Sequence, residues 1–285
     1  MKQVLAPVVS NAEVAQGTYL LRLHVPEIAA HARPGQFVHV RCAPVWARPT
    51  NPDRPSPQPS PIADAFAKGE GVSSLAWDPL LRRPLSIMRT HRESGEIEIL
   101  YDVVGRGTAL LSRARPGEAL DVLGPLGRPF ELKASTRQAL LVGGGGGVPP
   151  LVALAEEALA KGVSVTLVAG FRTAAKVFPA ELLPPEVEYV VTTDDGSAGR
   201  PGLVTEPLAE YLCWADQLFA CGPLPMLKAL ARLDLPCGLP VQISMEERMG
   251  CAMGVCLGCV VRTRHGLQRV CRDGPVFDLR ELDLT

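Results

Sequence analysis

The sequence predicts a multi-domain α+β chain with an N-terminal antiparallel β-barrel, a doubly wound α/β domain and a small C-terminal unit built around cysteines. Three observations predict it. Short β-rich segments separated by turns fill residues 1–132, strands and helices alternate through 137–237, and four of the eight cysteines crowd into 251–271, within the last segment, 238–285. Closely spaced short strands read as a small barrel or sandwich. Alternating strands and helices read as a parallel sheet covered on both faces. With 285 residues and 47% apolar composition the chain can bury more than one core.

Composition narrows the function classes. The formal charge is −1 and no basic patch stands out, so neither a nucleic acid nor another polyanion is an expected partner. The first apolar run is broken early by Asn11 and Glu13 and no small-residue cleavage site follows it, so no secretory signal is expected. The longest uncharged stretch, "QALLVGGGGGVPPLVALA", carries five glycines and two prolines, and would make a poor bilayer-spanning helix. No membrane is expected. A cytoplasmic location is, and there clustered thiols bind metal more often than they form disulfides. Cys42, Cys213, Cys221 and Cys237 stand singly among apolar neighbours, each expected to be a buried, inert small hydrophobe.

In chain order, "TYLLRLHV", "GQFVHVRC", "PLSIMRT", "EIEILYDVVG" and "ALDVLGPLG" are the barrel strands, with a hairpin turn at Ser94 and Gly95. Residues 43–76 interrupt them with seven prolines between Pro44 and Pro61, too many to donate to a strand ladder. That stretch reads as an irregular inserted loop without chemistry of its own. The α/β domain then runs through the buried strand "QALLVGG", a helix "VPPLVALAEEALAKG" ending at Gly162, the strands "VSVTLVAGF", "VEYVVTTDD" and "DQLFACG", and the helix "PLPMLKALARLDL". The strand "PVQISMEE" opens the last unit.

Cys251, Cys256, Cys259 and Cys271 follow one another at intervals of five, three and twelve. A Cys-x4-Cys-x2-Cys run with a distant fourth cysteine is the plant-type spacing of a [2Fe–2S] cluster, whereas structural zinc favours two Cys-x2-Cys knuckles. Only one knuckle is present, so the spacing favours [2Fe–2S] over zinc or disulfides. Gly250, Gly254 and Gly258 would let the backbone curl and aim N–H groups at the sulfurs.

Three further patterns fit nucleotides. Arg83 with Ser86, followed by Gly107 and Thr108 at a helix start, could hold a pyrophosphate and a flavin ring. Taken alone they are equally an exposed arginine and an ordinary helix cap. The turn "LLVGGGGGVPPL" between a strand and a helix, with Gly143, Gly144, Gly145 and Gly146, lets a backbone approach a pyrophosphate as in a Rossmann-like domain. The acidic residue usual some twenty positions on is replaced by "GFRTA", so NAD and NADP both stay open. Cys221 and Gly222 end a strand at the sheet's carboxyl edge, beside the place a nicotinamide would take, or else they are a packed thiol and a helix start. The five histidines show no ligand spacing.

The order Arg-Pro-x-Ser, Gly-x-Gly-Thr, glycine-rich turn, Cys-Gly-Pro-x-Pro-Met and C-terminal cysteine loop resembles the ferredoxin-reductase-like superfamily. More narrowly, "MEERMGCAMGVCLGCVVRT", "VCRDGPVF", "GFRTAAKVF" and "TTDDGSAGRPGLVT" are similar to segments of the electron-transfer subunits of heteromeric, NAD-dependent dihydroorotate dehydrogenases, and the resemblance runs over nearly the whole chain. It implies a subunit binding FAD and one [2Fe–2S] cluster that passes electrons from an FMN-containing catalytic subunit to NAD, in an assembly of two copies of each. It also implies that Arg83, Pro84, Leu85, Ser86, Leu100, Tyr101, Asp102, Gly107 and Thr108 contact FAD, and that the four clustered cysteines ligate the irons. The sequence departs from that family in its longer insertion at 43–76 and in reading Gly250 and Ala252 where alanine and glycine are usual. A related flavin and iron–sulfur subunit serving NADPH-dependent sulfur or glutamate metabolism is the alternative within the superfamily. A zinc-stapled binding module is the alternative outside it.

Overall fold

The computed structural model describes residues 1–42 and 81–284. The proline-rich segment 43–76 lies outside the described residues.

Seven antiparallel strands form the N-terminal sheet: β1 (Lys2–Ala15), β2 (Thr18–His24), β3 (Phe37–Val40), β4 (Arg83–Ser86), β5 (Arg89–His91), β6 (Glu96–Asp102) and β7 (Ala119–Leu126). Their order is β4-β3-β7-β1-β2-β6-β5, so β4 and β5 lie at opposite edges although only Ile87 and Met88 separate them in sequence. Two residues can span those edges only if the sheet curls until they meet. The linker is pinned on both sides, with Ile87 N–H donating to Gln36 O (3.1 Å) and Met88 N–H to Glu98 O (2.8 Å). The expected barrel is thus a curled sheet. Its core is the inward half of each alternating strand, including Leu21, Leu23, Val38, Val40, Ile97, Ile99, Leu120 and Val122.

β1 is absent from the sequence-based strand assignment, because Asn11 and Glu13 break its apolar pattern. The strand serves two partners in turn: residues Lys2–Pro7 pair with β7, and Val8–Ala15 pair with β2 through two register shifts. Asn11 is a tie within it. Its Nδ2 donates to the carbonyls of Leu111 (2.9 Å) and Ala114 (3.2 Å), and its Oδ1 accepts from the Tyr101 hydroxyl (3.1 Å). Helix α1 (Pro26–Ala29) follows β2, and α2 (Arg106–Leu111) links β6 to β7.

The second sheet contains β8 (Gln138–Gly144), β9 (Ser164–Phe171), β10 (Glu188–Thr193), β11 (Arg200–Pro201), β12 (Gln217–Cys221), β13 (Val241–Ser244) and β16 (Val276–Asp278), in the order β11-β10-β9-β8-β12-β13-β16. All neighbours are parallel except β13 and β16. Helices α3 (Pro149–Ala160), α4 (Ala209–Leu212) and α5 (Leu224–Ala231) belong to its crossovers. The strand order reverses between β8 and β12, and the crevice at the carboxyl ends there is where such sheets bind ligands.

The C-terminal unit is fastened into this sheet. β13 is its sixth parallel strand, and β16 returns beside β13 after the cysteine loop and the hairpin of β14 (Val260–Thr263) and β15 (Gly266–Arg269). One apolar core joins Phe37 and Leu126 of the barrel to Met245, Met249, Ala252 and Cys259 of the loop. Of the four single cysteines, Cys42 and Cys221 are buried as expected, whereas Cys213 and Cys237 are exposed. Both exposed thiols sit in connections, after α4 and in the turn before β13, where apolar sequence neighbours supply no covering layer.

Candidate functional site

The barrel contributes an arginine laid over a helix start. A Cβ at Gly107 would stand 2.9 Å from Arg83 Nε and 3.1 Å from Nη2, so the Nε–Nη2 edge of the guanidinium faces the first turn of α2. That edge is the fork that binds an oxyanion in bidentate fashion. Arg83 Nη1 is held by the Leu81 carbonyl at 2.7 Å. Thr108 Oγ1 is engaged locally, accepting from the N–H groups of Val104 (2.9 Å) and Gly105 (3.3 Å). Pro84 and Ser86 stand opposite His39 and Phe37 across β4 and β3, on the face turned toward the C-terminal unit, while Leu85 packs on the barrel core.

Leu100, Tyr101 and Asp102 line a cavity of about 460 Å³ between β6 and the glycine-rich turn. Tyr101 also reaches inward, stacking on Tyr19 with ring centroids 5.9 Å apart. Asp102 accepts from Thr18 Oγ1 (2.5 Å) and from Lys176 Nζ (3.3 Å), a contact that crosses from the barrel to the α/β domain.

A second cavity, of about 520 Å³, opens at the carboxyl edge of the parallel sheet and shares Gly145, Gly146, Phe171 and Arg172 with the first. Gly144 lines it too, whereas Gly143, Cys221 and Gly222 lie behind that lining. The turn packs against β12 so closely that the Cys221 carbonyl occupies the position a Cβ on Gly147 would need. Burial pushes the Cys221 thiol far up, which suits a packed thiol rather than a nucleophile. Glu246 also lines the cavity, and burial pushes its carboxyl up.

The cysteine loop is shaped around its sulfurs. Ala252, Gly254 and Leu257 all take left-handed backbone conformations (φ 56°, 79° and 57°), and for Ala252 and Leu257 this is a strained choice held by the surrounding loop. The resulting curl turns N–H groups onto thiols: those of Met253, Val255 and Cys256 each approach Cys251 Sγ at 3.4 Å, and that of Gly254 approaches Cys271 Sγ at 3.1 Å. Gly258 N–H approaches Cys256 Sγ (3.5 Å) and Cys271 N–H approaches Cys259 Sγ (3.4 Å). Desolvation opposes ionisation of Cys251, yet the N–H groups of Cys256, Met253 and Val255 outweigh it and bring the thiol down to about 6. Burial, reinforced by Cys259, pushes Cys271 up to about 12. Among the described residues no three His, Cys, Asp or Glu side chains converge as a single-ion site would require. The thiols stand instead as two neighbouring pairs, Cys251 with Cys256 and Cys259 with Cys271. Cysteine sulfurs met by backbone N–H donors and paired two and two fit a two-iron cluster.

His39 is fully buried at the seam between barrel and loop, and desolvation with the charge of Arg82 holds its imidazole down to about 4. Sequence reasoning gave no role to Arg172, Lys176 or Glu246. The position of Arg172 just past β9, at the carboxyl end of a parallel strand, was the available signal.

Residues 246–283 match the profile of the iron–sulfur cluster binding domain of dihydroorotate dehydrogenase B. The electron transfer subunit of dihydroorotate dehydrogenase B (NAD(+)) from Geobacillus sp. (strain WCH70) is 42% identical over 289 residues, covering 100% of both chains. That from Geobacillus thermodenitrificans (strain NG80-2) is 41% identical over 97% of each. Among solved structures, an NADH-dependent reduced ferredoxin–NADP oxidoreductase studied for flavin-based electron bifurcation superposes with a TM-score of 0.77 and 28% identity, over 99% of this chain and 90% of its own. The ferredoxin reductase of carbazole 1,9a-dioxygenase, with a TM-score of 0.62 and 21% identity over 85% of this chain and 68% of its own, shares the fold. Matched end to end by such relatives, the chain belongs to the family of electron transfer subunits of NAD-dependent dihydroorotate dehydrogenase B.

Proposed function

We propose that this chain carries electrons taken from dihydroorotate by an FMN-containing catalytic subunit to NAD+, in a cytoplasmic assembly with two copies of each subunit. The observation that carries the reading is the meeting of two nucleotide-sized cavities at one glycine-rich turn, with Cys259 and Cys271 of the cysteine loop in the apolar core that reaches Phe37 and Leu126 of the same barrel. FAD supplies the conversion between single electrons, which an iron–sulfur cluster carries, and the hydride that NAD+ accepts. The residues of the chain bind and position. Arg83, over Gly107, would clamp the FAD pyrophosphate, with Pro84, Leu85, Ser86, Leu100, Tyr101, Asp102 and Thr108 around the remainder. Cys251, Cys256, Cys259 and Cys271 would hold the irons, and the N–H groups aimed at their sulfurs would tune the potential. Gly143 to Gly146, with Cys221 and Gly222 behind them, would form the NAD side of the turn.

The partner surface is proposed at the cysteine loop, where Met253, Val255 and Leu257 expose 43%, 75% and 62% of their surface around the thiols. Exposed apolar side chains beside a redox site suit a docking face, and electron transfer requires close approach. Among the described residues no helix is long and apolar enough to cross a membrane. The test is reconstitution. The purified full-length chain should pass electrons from NADH to an artificial acceptor but leave dihydroorotate unoxidised, and adding the FMN-bearing subunit should establish NAD-dependent dihydroorotate oxidation. Dihydroorotate turnover by this chain alone would overturn the assignment.

A further inference from the structure

Flavin and nicotinamide are to be held by different domains, so hydride transfer depends on how the barrel sits against the parallel sheet. One guanidinium spans that joint. Arg89, on β5 of the barrel, is only 19% exposed and divides its donors among three elements. Its Nη1 donates to Glu98 Oε2 on β6 (3.0 Å), its Nε to Glu156 Oε1 on α3 (2.5 Å), and its Nη2 to the Leu182 carbonyl (2.9 Å). Two of those partners belong to the α/β domain.

The barrel end of the joint is stiff. The Glu98 side chain is 3% exposed and is held by Arg22 and by His91 Nε2 (3.0 Å) as well as by Arg89. Arg22 in turn faces Glu96 at 3.7 Å, so charges alternate from Glu96 through Arg22, Glu98 and Arg89 to Glu156. A buried carboxylate with three partners cannot drift without stranding a charge. The far end is equally well placed. Glu156 sits on α3, whose first turn carries Pro149 in the lining of the cavity shared with Leu100 and Asp102, and whose N-terminus follows the glycine-rich turn. A planar guanidinium fixes the direction of each bond as well as its length, as a lysine ammonium does not.

We infer that Arg89 is a positioning residue for hydride transfer: through Glu156 and the Leu182 carbonyl it fixes α3, and with it the glycine-rich turn, relative to the flavin-bearing barrel. The inference rests on the function proposed above. Misplacing reacting groups by about 1 Å can slow a reaction as much as a hundredfold, so loss of one arm of this clamp should slow hydride transfer by about tenfold.

Adjacent residues of α3 provide a matched test. Glu156 pairs across the joint, whereas Glu157 pairs with Lys161 one turn along the same helix. Glu156→Gln and Glu157→Gln each remove one ion pair from a carboxylate of similar exposure, 35% and 31%, and only the first loosens the joint. In the full-length chain carrying FAD and iron, Glu156→Gln should slow reduction of the flavin by saturating NADH about tenfold, with the dissociation constant for NADH, FAD content and iron content unchanged. Glu157→Gln should match the parent. Without any cofactor turnover, amide hydrogen exchange across 89–91 and 149–160 should quicken in Glu156→Gln alone. Arg89→Lys should recover part of the rate lost in Arg89→Gln. Equal flavin reduction rates and equal exchange in Glu156→Gln and the parent would overturn the inference and leave the functional reading standing. A flavin in the parent chain that NADH does not reduce would overturn both.

Discussion

Replacing Gly147 by alanine should destabilise the α/β domain by about 3 kcal/mol, while the same change one residue earlier, at Gly146, should move stability by less than about 0.5 kcal/mol. Both residues belong to the run of five glycines, and only their surroundings differ. Nothing lies within 4 Å of a Cβ at Gly146. At Gly147 the Cβ would fall on the Cys221 carbonyl and within 2.6 Å of Gly222 N. These obstacles are backbone atoms of a central strand. Cys221 is paired with Gly143 on one side and Ser244 on the other, so β12 cannot yield without breaking ladder bonds. Overpacking a core costs about 1–3 kcal/mol, and an obstacle that cannot rotate away belongs at the upper limit. For a protein of this size each kcal/mol shifts the midpoint by roughly 2–4 °C, giving a fall of roughly 6–12 °C. Thermal unfolding followed by circular dichroism at one saturating FAD concentration would measure both variants against the parent. Equal midpoints for Gly146→Ala and Gly147→Ala would refute the packing argument.

Arg83→Ala should weaken FAD binding by about 2 kcal/mol, roughly thirtyfold, while the iron–sulfur absorbance stays, because the guanidinium edge over Gly107 has no neutral substitute. Unchanged flavin retention on gel filtration would count against the clamp. Acid stability should depend on Glu98. Burial alone would raise its carboxyl, but the hydrogen bonds from His91 and Arg22 and the charge of Arg89 bring it below its ordinary 4.5. A carboxyl depressed in the folded state contributes stability that is complete above that ordinary value and is lost as the pH falls through the folded one. Glu98→Gln should therefore lose about 3 kcal/mol at neutral pH and lose stability less steeply on acidification, in urea unfolding measured from pH 7 to pH 3. An acid limb as steep as the parent's would contradict it.

What the sequence revealed and what it hid follow from how local each signal is. The cysteine spacing and the glycine-rich turn are contiguous, so both were legible before any fold was known. The parallel strands read as apolar runs because both of their faces are covered. β1 did not, since a strand that changes partner midway and carries Asn11 as a half-buried tie has no single alternating face. Glu98 was equally hidden. In "EIEILYD" it alternates with Ile97 and Ile99 and reads as a solvent-facing residue, but Arg22, Arg89 and His91 close over it. Arg172 and Lys176 follow β9 and Glu246 follows β13, and only the assembled parallel sheet gathers these two connections around the two cavities.

One chain is to hold a flavin site and a two-iron site in electronic contact with NAD, and low-temperature electron paramagnetic resonance of the full-length chain after anaerobic addition of NADH reads that contact. The parent should show the signal of a reduced [2Fe–2S] cluster together with bleached flavin absorbance, and Cys256→Ser should keep the flavin bleaching while losing the signal. A colourless parent holding zinc, or a cluster signal of full intensity in Cys256→Ser, would contradict the account.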